Sequence, residues 1–469
     1  MAPKFGTSGL RGLVTELTDD VVADYTRAFL ASCPTGGRVF VGWDLRPSSP
    51  RIAAAVTAAA GAMGLPVTRC GALPTPALAL AAMEAGACAV MITGSHIPAD
   101  RNGLKFYLPT GEISKADEAR ISAALGPGSG TTPGTPPETA PETAPEVTDT
   151  DEAAGDYVAR YATAFGASAL GGLKIGVYQH SSVARDIMVQ AVEALGGMAV
   201  ALAPSDTFVP VDTEAVDPDT RGMLNAWCRE HGLDAVISTD GDADRPMVTD
   251  ATGRIVPGDV LGPLTAGFLG AEVICTPVSS NTAVDGMGFS RVLRTRIGSP
   301  YVIAAMEDLA GQKVVGYEAN GGFLLGFAAA APAGPLAPLM TRDSLLPILA
   351  PLARARAEGR TLADLVATLP ARFTAADRVA GIEPEDSAAF LDGLRGDAAA
   401  RAAFFDTGSD EAEVDETDGL RVTFATGDIV HLRPSGNAPE FRCYAEADSP
   451  ERAEELLQTH LAKLTERLG

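Results

Sequence analysis

Three aspartates at alternate positions in Asp240-Gly-Asp-Ala-Asp-Arg245 carry the sharpest chemical signal in the sequence. Carboxylates that alternate along a turn can aim at one point. An all-oxygen cluster suits a hard divalent cation, and magnesium takes few carboxylates and often a phosphate. The plain alternative is a solvated acidic turn. A calcium loop of the EF-hand kind is excluded at two positions: its sixth residue should be Gly and is Arg245, and its twelfth should be Glu and is Ala251. Arg245 beside three carboxylates points to an anionic ligand sharing the site, because a guanidinium forks onto phosphate.

Phosphoryl transfer needs an oxygen nucleophile, a divalent ion and positive charge together. Ser95, in Thr93-Gly-Ser-His-Ile-Pro98, offers the nucleophile, although a serine after a strand more often caps a turn. The adjacent His96 does not make a catalytic pair by itself, since the ring must be oriented by a third group. Lys105 is an acid–base candidate, with an ordinary surface lysine as the alternative. In Gly6-Thr-Ser-Gly-Leu-Arg-Gly12 the glycines let backbone approach a ligand and Arg11 can neutralise phosphate; a flexible N-terminus is the default. Arg433-Pro-Ser-Gly-Asn437 joins a guanidinium (Arg433), a hydroxyl (Ser435), a Gly-opened backbone (Gly436) and an amide (Asn437) into an anion cradle, to which Arg442 adds charge. Glu318, Asn320 and Gly321, in Glu318-Ala-Asn-Gly-Gly322, suit hydroxyl recognition on a sugar, or a structural turn.

These loops need rigid elements behind them. Apolar runs alternate with alanine-rich stretches: strands over 38–43, 65–70 and 88–93, helices over 52–63 and 76–84. The pattern recurs with strands over 173–178, 198–203 and 235–239 and a helix over 182–195. A third round has strands over 273–276 and 314–317 and a helix over 301–309. This predicts helices around mostly parallel or mixed sheets. In each round one strand runs into a polar, Gly-bearing loop, the loops of Ser95, Asp240 and Glu318. Ligands of open α/β sheets sit beyond the carboxyl ends of strands, so three such loops can converge on one cleft. The C-terminal part differs: a hairpin over 420–425 and 428–432 turning at Thr426-Gly427, then a helix over 449–468. Gly126–Asp151, rich in Gly, Pro, Thr and Glu, reads as a mobile or extended linker.

Composition narrows the class. The 36 Lys plus Arg against 60 Asp plus Glu give a net charge of −24, which argues against nucleic acid and anionic membrane as partners. No apolar run approaches the ~18 residues of a membrane span, and Met1 to Arg11 lacks the apolar core of a secretory signal. Six scattered cysteines read as reduced and buried in a cytoplasmic protein, and the scattered cysteines and five histidines make a zinc site improbable.

Taken in order, the five loops resemble those of the α-D-phosphohexomutase superfamily, and within it the phosphomannomutase and phosphoglucomutase group. The resemblance runs from Gly6 to Ala447. It implies a heart-shaped arrangement of three related α/β units with mixed sheets and a smaller α+β C-terminal domain, here 1–150, 151–252, 253–368 and 369–469. It implies that Ser95 is a phosphoserine and that Asp240, Asp242 and Asp244 bind Mg²⁺ together with a Ser95 phosphate oxygen. Arg245 and Arg11 would then serve the transferring group, Lys105 proton transfer, His96 a supporting or acid–base role beside the nucleophile, Glu318 and Asn320 the sugar hydroxyls, and Arg433, Ser435, Gly436 and Asn437 the other phosphate. Three segments depart from the usual pattern. Ala-Ser-His-Asn-Pro is here Gly94-Ser-His-Ile-Pro98. Glu-x-Ser-Gly-His has Asn320 for Ser and Gly322 for His, and Glu-Ala-Asn-Gly also resembles the loop of acetylglucosamine-phosphate mutases. Gly-Thr-Glu-Pro is replaced by Gly436-Asn-Ala-Pro-Glu440.

The implied reaction interconverts hexose 6-phosphate and hexose 1-phosphate through phosphoserine and a hexose 1,6-bisphosphate, which also serves as activator. Mannose is placed first and glucose second. A phosphoglucosamine or acetylglucosamine-phosphate mutase is the alternative sugar reading. From other classes, the rivals are a Mg²⁺-dependent phosphatase with an aspartate nucleophile and a non-catalytic sugar-phosphate sensor. The chain is expected as a monomer or homodimer.

Overall fold

The computed structural model describes residues 3–6, 9–125, 146–435 and 439–468. Its first three sheets repeat one plan. In the second sheet Met198–Pro204, Lys174–His180 and Ala235–Thr239 run parallel, and Pro246–Thr249 and Ile255–Val256 add antiparallel strands. The third orders Arg291–Thr295, Val273–Pro277 and Val314–Tyr317 in parallel, then Phe323–Leu325 and Leu339–Asp343 antiparallel. The first sheet has the same centre: Val67–Ala72, Val39–Trp43 and Cys88–Ile92 parallel, then Arg101–Leu108 and Leu10–Leu13 antiparallel. In all three, the strand at the switch from parallel to antiparallel pairing is the third parallel strand of its unit in chain order, and it delivers the loop of Ser95, Asp240 or Glu318.

Burial explains the apolar runs. Cys88–Ile92 and Ala235–Thr239 are buried along their whole length, as strands covered by helices on both faces must be. The core joins the units: Leu78 and Leu80 of helix Thr75–Glu84, Tyr157 and Tyr161 of helix Glu152–Phe165, and Leu345 and Leu349 of helix Leu345–Ala357 belong to one cluster. Helix boundaries follow local chemistry. Asp217 accepts from Thr220 N (2.9 Å) to cap Pro218–His231, and Gly232 ends it in the left-handed conformation.

The fourth sheet is antiparallel, ordered Phe373–Ala380, Glu440–Ala447, Ile429–Pro434, Leu420–Phe424 and Glu411–Asp415. The expected hairpin is present, with Gly427 at φ +87° in its turn. Helix Pro450–Leu468 covers the sheet with Ala453, Leu456, Leu457, His460 and Leu464, a 3.6-residue stripe. This unit has its own core, including Phe404, Phe405, Phe441 and Leu432.

One expectation needs correction. The end of the supposed linker, Val147–Asp149, is an edge strand that pairs in parallel with Val67–Arg69, and Arg69 grips Asp149 through two hydrogen bonds of 2.7 Å. Main-chain pairing holds this short polar segment where its side chains give no apolar signal. The rest of that reading, 126–145, lies outside the described residues. No helix among the described residues is long and apolar enough to cross a membrane.

His180 and His431 are each 1% exposed, and burial lowers both to about 4 despite their bonds to the carbonyls of Thr239 and Asp418. An unfolded histidine titrates near 6.5, so between about pH 6.5 and 4 the unfolded chain binds more protons. Stability is therefore lost as pH falls through that window, by about 2 kcal/mol per histidine at pH 5. Asp259, raised to about 6 by burial, works in the opposite direction over about pH 6 to 4. The test is thus a comparison: between pH 7 and 5, His431→Gln should lose less melting temperature than the parent chain.

Candidate active site

Ser95 sits at φ +55°, a left-handed backbone that costs a non-glycine residue about 1–2 kcal/mol and needs surrounding restraint. The restraint is Arg46, 1% exposed. Its guanidinium donates to the carbonyls of Ser95 (2.8 Å), Ile97 (2.5 Å), Pro98 (2.7 Å) and Arg101 (3.0 Å), and to Asp44 (3.0 Å). Thr93 Oγ1 donates to Asp44 (2.8 Å) and accepts from Ser95 N (2.7 Å). The loop is thus clamped from beneath and its hydroxyl faces the aspartate loop.

The Ser95 hydroxyl donates to Asp240 Oδ2 at 2.5 Å, although 145 residues separate them. Gly241 permits this approach, since a Cβ there would lie 2.9 Å from Ser95 O. Asp240, Asp242 and Asp244 are each fully buried, and they present ligand atoms within 4.8 Å of one another. Asp242 accepts from the hydroxyl (2.7 Å) and backbone N–H (2.9 Å, to Asp242 O) of Thr75, at the N-terminal end of helix Thr75–Glu84. Lys105, in register with Met91 on the neighbouring strand and 4% exposed, donates to Asp242 Oδ2 (2.6 Å) and Asp244 Oδ2 (2.5 Å).

The carboxylates are not equivalent. Burial, with Asp242 and Asp244 beside it, pushes Asp240 well above the usual carboxylate range. Burial also works against the charge of Asp242, but the Lys105 ammonium and the Thr75 hydroxyl outweigh it and hold that carboxyl low. Asp242 Oδ1 and Asp244 Oδ1 are buried oxygens with no hydrogen-bond donor. Buried anionic oxygens without a partner are costly, and a hard divalent cation on an all-oxygen set satisfies them. The residues therefore fit Mg²⁺.

Positive charge surrounds the pair of loops. Arg245 Nε stands 4.0 Å from Asp240 Oδ2 and 3.9 Å from Asp244 Oδ1. Arg11 lies in strand Leu10–Leu13, not in a flexible tail, and donates to Gly94 O (3.3 Å); burial and nearby Arg245 lower it to about 10. His96 Nδ1 is 3.4 Å from Ser95 Oγ, and its Nε2 is 3.9 Å from Asp212. Burial and the charges of Arg245 and Arg11 push His96 well below its ordinary value, so the ring is neutral at pH 7.

The remaining loops close the cleft. Glu318 is 4% exposed, and burial raises it in spite of nearby Arg342 and Arg245. Asn320 Oδ1 accepts from Gly322 N (3.0 Å). Gly321, at φ +87°, seats the loop against Pro246, where a Cβ would meet Cγ at 2.6 Å. In the fourth sheet Arg433 and Arg442 are register partners, with Arg378 next in line, so three guanidiniums stand in a row across neighbouring strands. Like charges directly opposite each other need an anion, and Glu440 supplies one carboxylate, 3.1 Å from Arg378 Nε and 3.7 Å from Arg442 Nη2. Asp418 holds Arg433 Nε at 3.0 Å, and Ser435 N donates to Glu440 O (2.8 Å). Gly436 and Asn437 lie outside the described residues.

Sequence reasoning missed Asp44, Arg46, Thr75, Arg342 and Arg378. Arg342 had a signal, a lone arginine in the apolar stretch Pro335–Ile348, where a buried charge requires buried partners. Asp44 and Arg46 follow the strand Val39–Trp43 at the same sheet edge as Ser95, but only the folded contacts give them meaning.

Comparison with known proteins agrees with this geometry. Four descriptions of one family match in succession: Phosphoglucomutase/phosphomannomutase, alpha/beta/alpha domain I over residues 2–127, domain II over 156–253, domain III over 259–373, and the C-terminal domain over 384–462. The chain is similar to a phosphomannomutase of Sinorhizobium fredii, 46% identical with 99% of each chain covered. It is also similar to one of Salmonella muenchen, 41% identical with 99% of this chain and 96% of the other covered. A solved phosphoglucomutase/phosphomannomutase family protein from Burkholderia thailandensis shares the fold, with TM-score 0.75 at 21% identity, covering 98% of this chain and 97% of that one. The chain belongs to the phosphoglucomutase/phosphomannomutase family.

Proposed function

We propose that this enzyme is a phosphomannomutase-type phosphohexomutase that interconverts hexose 6-phosphate and hexose 1-phosphate, with mannose as the principal sugar. The observation that carries the reading is the Ser95 hydroxyl at 2.5 Å from one of three clustered buried aspartates, with Lys105 on the other two. The sugar assignment is supported by the two phosphomannomutase relatives.

Asp240, Asp242 and Asp244 would hold Mg²⁺, which when bound draws negative charge from the transferring phosphoryl group. The chain's own residues do the rest. Phosphorylated Ser95 stands where a sugar hydroxyl reaches its phosphorus. The new bond from sugar oxygen to phosphorus forms as the bond to Ser95 Oγ breaks; the neutral ring of His96 accepts the sugar hydroxyl's proton, and the Lys105 ammonium supplies the proton that Ser95 Oγ takes up. The resulting hexose 1,6-bisphosphate, also the activator, turns within the cleft and returns its other phosphoryl group to Ser95 Oγ. Arg11 and Arg245 offset charge during transfer. Positioning and electrostatics supply most of the catalysis in such reactions.

Glu318, Asn320 and Gly321 face the sugar hydroxyls. Arg433, Ser435, Gly436, Asn437 and Arg442 grip the phosphate that is not being transferred. The functional units span 1–150, 151–252, 253–368 and 369–469, and the separate core of the last supports its rotation to close the cleft against water. All six cysteines are unpaired and buried, which supports a reducing compartment, the cytoplasm.

The test is a side-by-side assay on the 1-phosphates of mannose, glucose, glucosamine and N-acetylglucosamine, with Mg²⁺ and a hexose 1,6-bisphosphate. The expected result is isomer formation with the highest kcat/KM on mannose 1-phosphate. Release of free phosphate without isomer overturns the mutase reading in favour of a phosphatase. Preference for an amino sugar overturns the sugar assignment.

A further inference from the structure

Arg342 has no place in the reaction described above, yet three sheets converge on it. It lies on strand Leu339–Asp343 with 3% of its side chain exposed. Its Nη2 is 2.8 Å from Asp244 Oδ2, its Nη1 3.6 Å from Glu318 Oε2, and its Nε 3.5 Å from Glu112 Oε1. Glu112 is itself fixed, accepting from Ser299 Oγ (2.8 Å), Thr341 Oγ1 (3.0 Å) and Arg342 N (3.2 Å). One guanidinium therefore connects the first sheet, the aspartate loop and the Glu318 loop.

The space it uses is left by Gly322. A Cβ at position 322 would lie 2.9 Å from both Cγ and Cδ of Arg342 and 3.0 Å from Asp244 O. Any side chain at 322 would have to displace the arginine stem, so the two residues are a matched pair. Arginine suits the role because its planar fork can serve two carboxylates in fixed geometry and stays charged when buried.

We propose that Arg342, seated in the space Gly322 leaves, is a positioning residue of the mutase reaction that lowers the negative charge of the metal loop through Asp244 and holds Glu318 for the sugar. The proposal rests on the reading of the three aspartates as metal ligands and of Glu318 as a sugar contact. It has a consequence that a purely structural role lacks. A fixed cation beside Asp244 opposes a divalent ion, so removing it tightens metal binding. The same removal frees Glu318, which weakens sugar binding. Loss of packing alone would weaken both.

The experiment measures Mg²⁺ affinity by calorimetry, and separately kcat and KM for mannose 1-phosphate, on the full parent chain and four variants of it. For Arg342→Met, the Mg²⁺ Kd should fall by about fivefold or more while KM rises by about tenfold. Arg342→Lys keeps the charge but not the fork, so its Mg²⁺ Kd should stay within about twofold of the parent while KM still rises. Gly322→Ala should raise KM in the same direction, and the Arg342→Met, Gly322→Ala double variant should be no worse than Arg342→Met alone, because both changes break one contact. If Arg342→Met does not fold, the Lys and Ala variants carry the test. Unchanged or weaker metal binding in Arg342→Met, unchanged KM in either arginine variant, or additive effects in the double variant overturn the proposal. Absence of both Mg²⁺ binding and turnover in the parent chain instead overturns the function proposed above.

Discussion

Ser95→Ala should lower mutase turnover by at least about 10⁴-fold while leaving the fold intact. The phosphoryl group must rest on an oxygen between its two transfers, and of the two hydroxyls bonded to the aspartates among the described residues, Ser95 on Asp240 and Thr75 on Asp242, the Ser95 hydroxyl is the one that also has His96 beside it. Alanine removes that oxygen and nothing else: the clamp on the loop runs from Arg46 to backbone carbonyls and persists. Uncatalysed phosphate-ester chemistry is too slow to hide the loss. Steady-state rates with a hexose 1,6-bisphosphate supplied check this, and a variant within tenfold of the parent would remove Ser95 from the mechanism.

Asp242→Asn should have the second largest effect. Asp242 is the carboxylate held low by Lys105, and its Oδ1 has no donor. An amide in its place removes one negative charge and turns a nitrogen toward either Lys105 or the cation. Loss of one unit charge a few Å from a divalent ion is worth several kcal/mol at intermediate dielectric. Mg²⁺ affinity should fall by about 10²-fold or more, and kcat by about 10³-fold, since the ion's charge stabilisation is lost with it. Calorimetric titration and kinetics at saturating Mg²⁺ read the two effects separately. Asp242→Asn with parental Mg²⁺ affinity would remove the cluster as the metal site.

Much of this site was legible because it obeys a repeat. Ala89-Val-Met-Ile92, Ala235-Val-Ile-Ser-Thr239 and Val314-Val-Gly-Tyr317 are short apolar runs that end in polar loops, and buried parallel strands write themselves that way in sequence. What stayed hidden acts over long sequence distances. Arg46 binds a loop about 50 residues downstream, and Arg342 binds Asp244 and Glu112, so neither has a local signature. Val147–Asp149 carries no strand pattern in its sequence because parallel pairing at a sheet edge needs only main-chain groups. Strand Leu10–Leu13, carrying Arg11, is obscured in sequence by Gly12 within it and Gly9 before it. The chemistry was therefore readable from loop composition, and its support was not.

The central claim is a covalent phosphate on Ser95 beside the aspartate cluster. The most direct measurement is mass spectrometry of the full chain after incubation with a hexose 1,6-bisphosphate and Mg²⁺, with the modified residue located by fragmentation. The account predicts one added phosphate, on Ser95, absent from Ser95→Ala and from the parent chain treated with excess hexose monophosphate to draw it off. A chain that turns over at full rate with its phosphate on another residue, or with none, would contradict it.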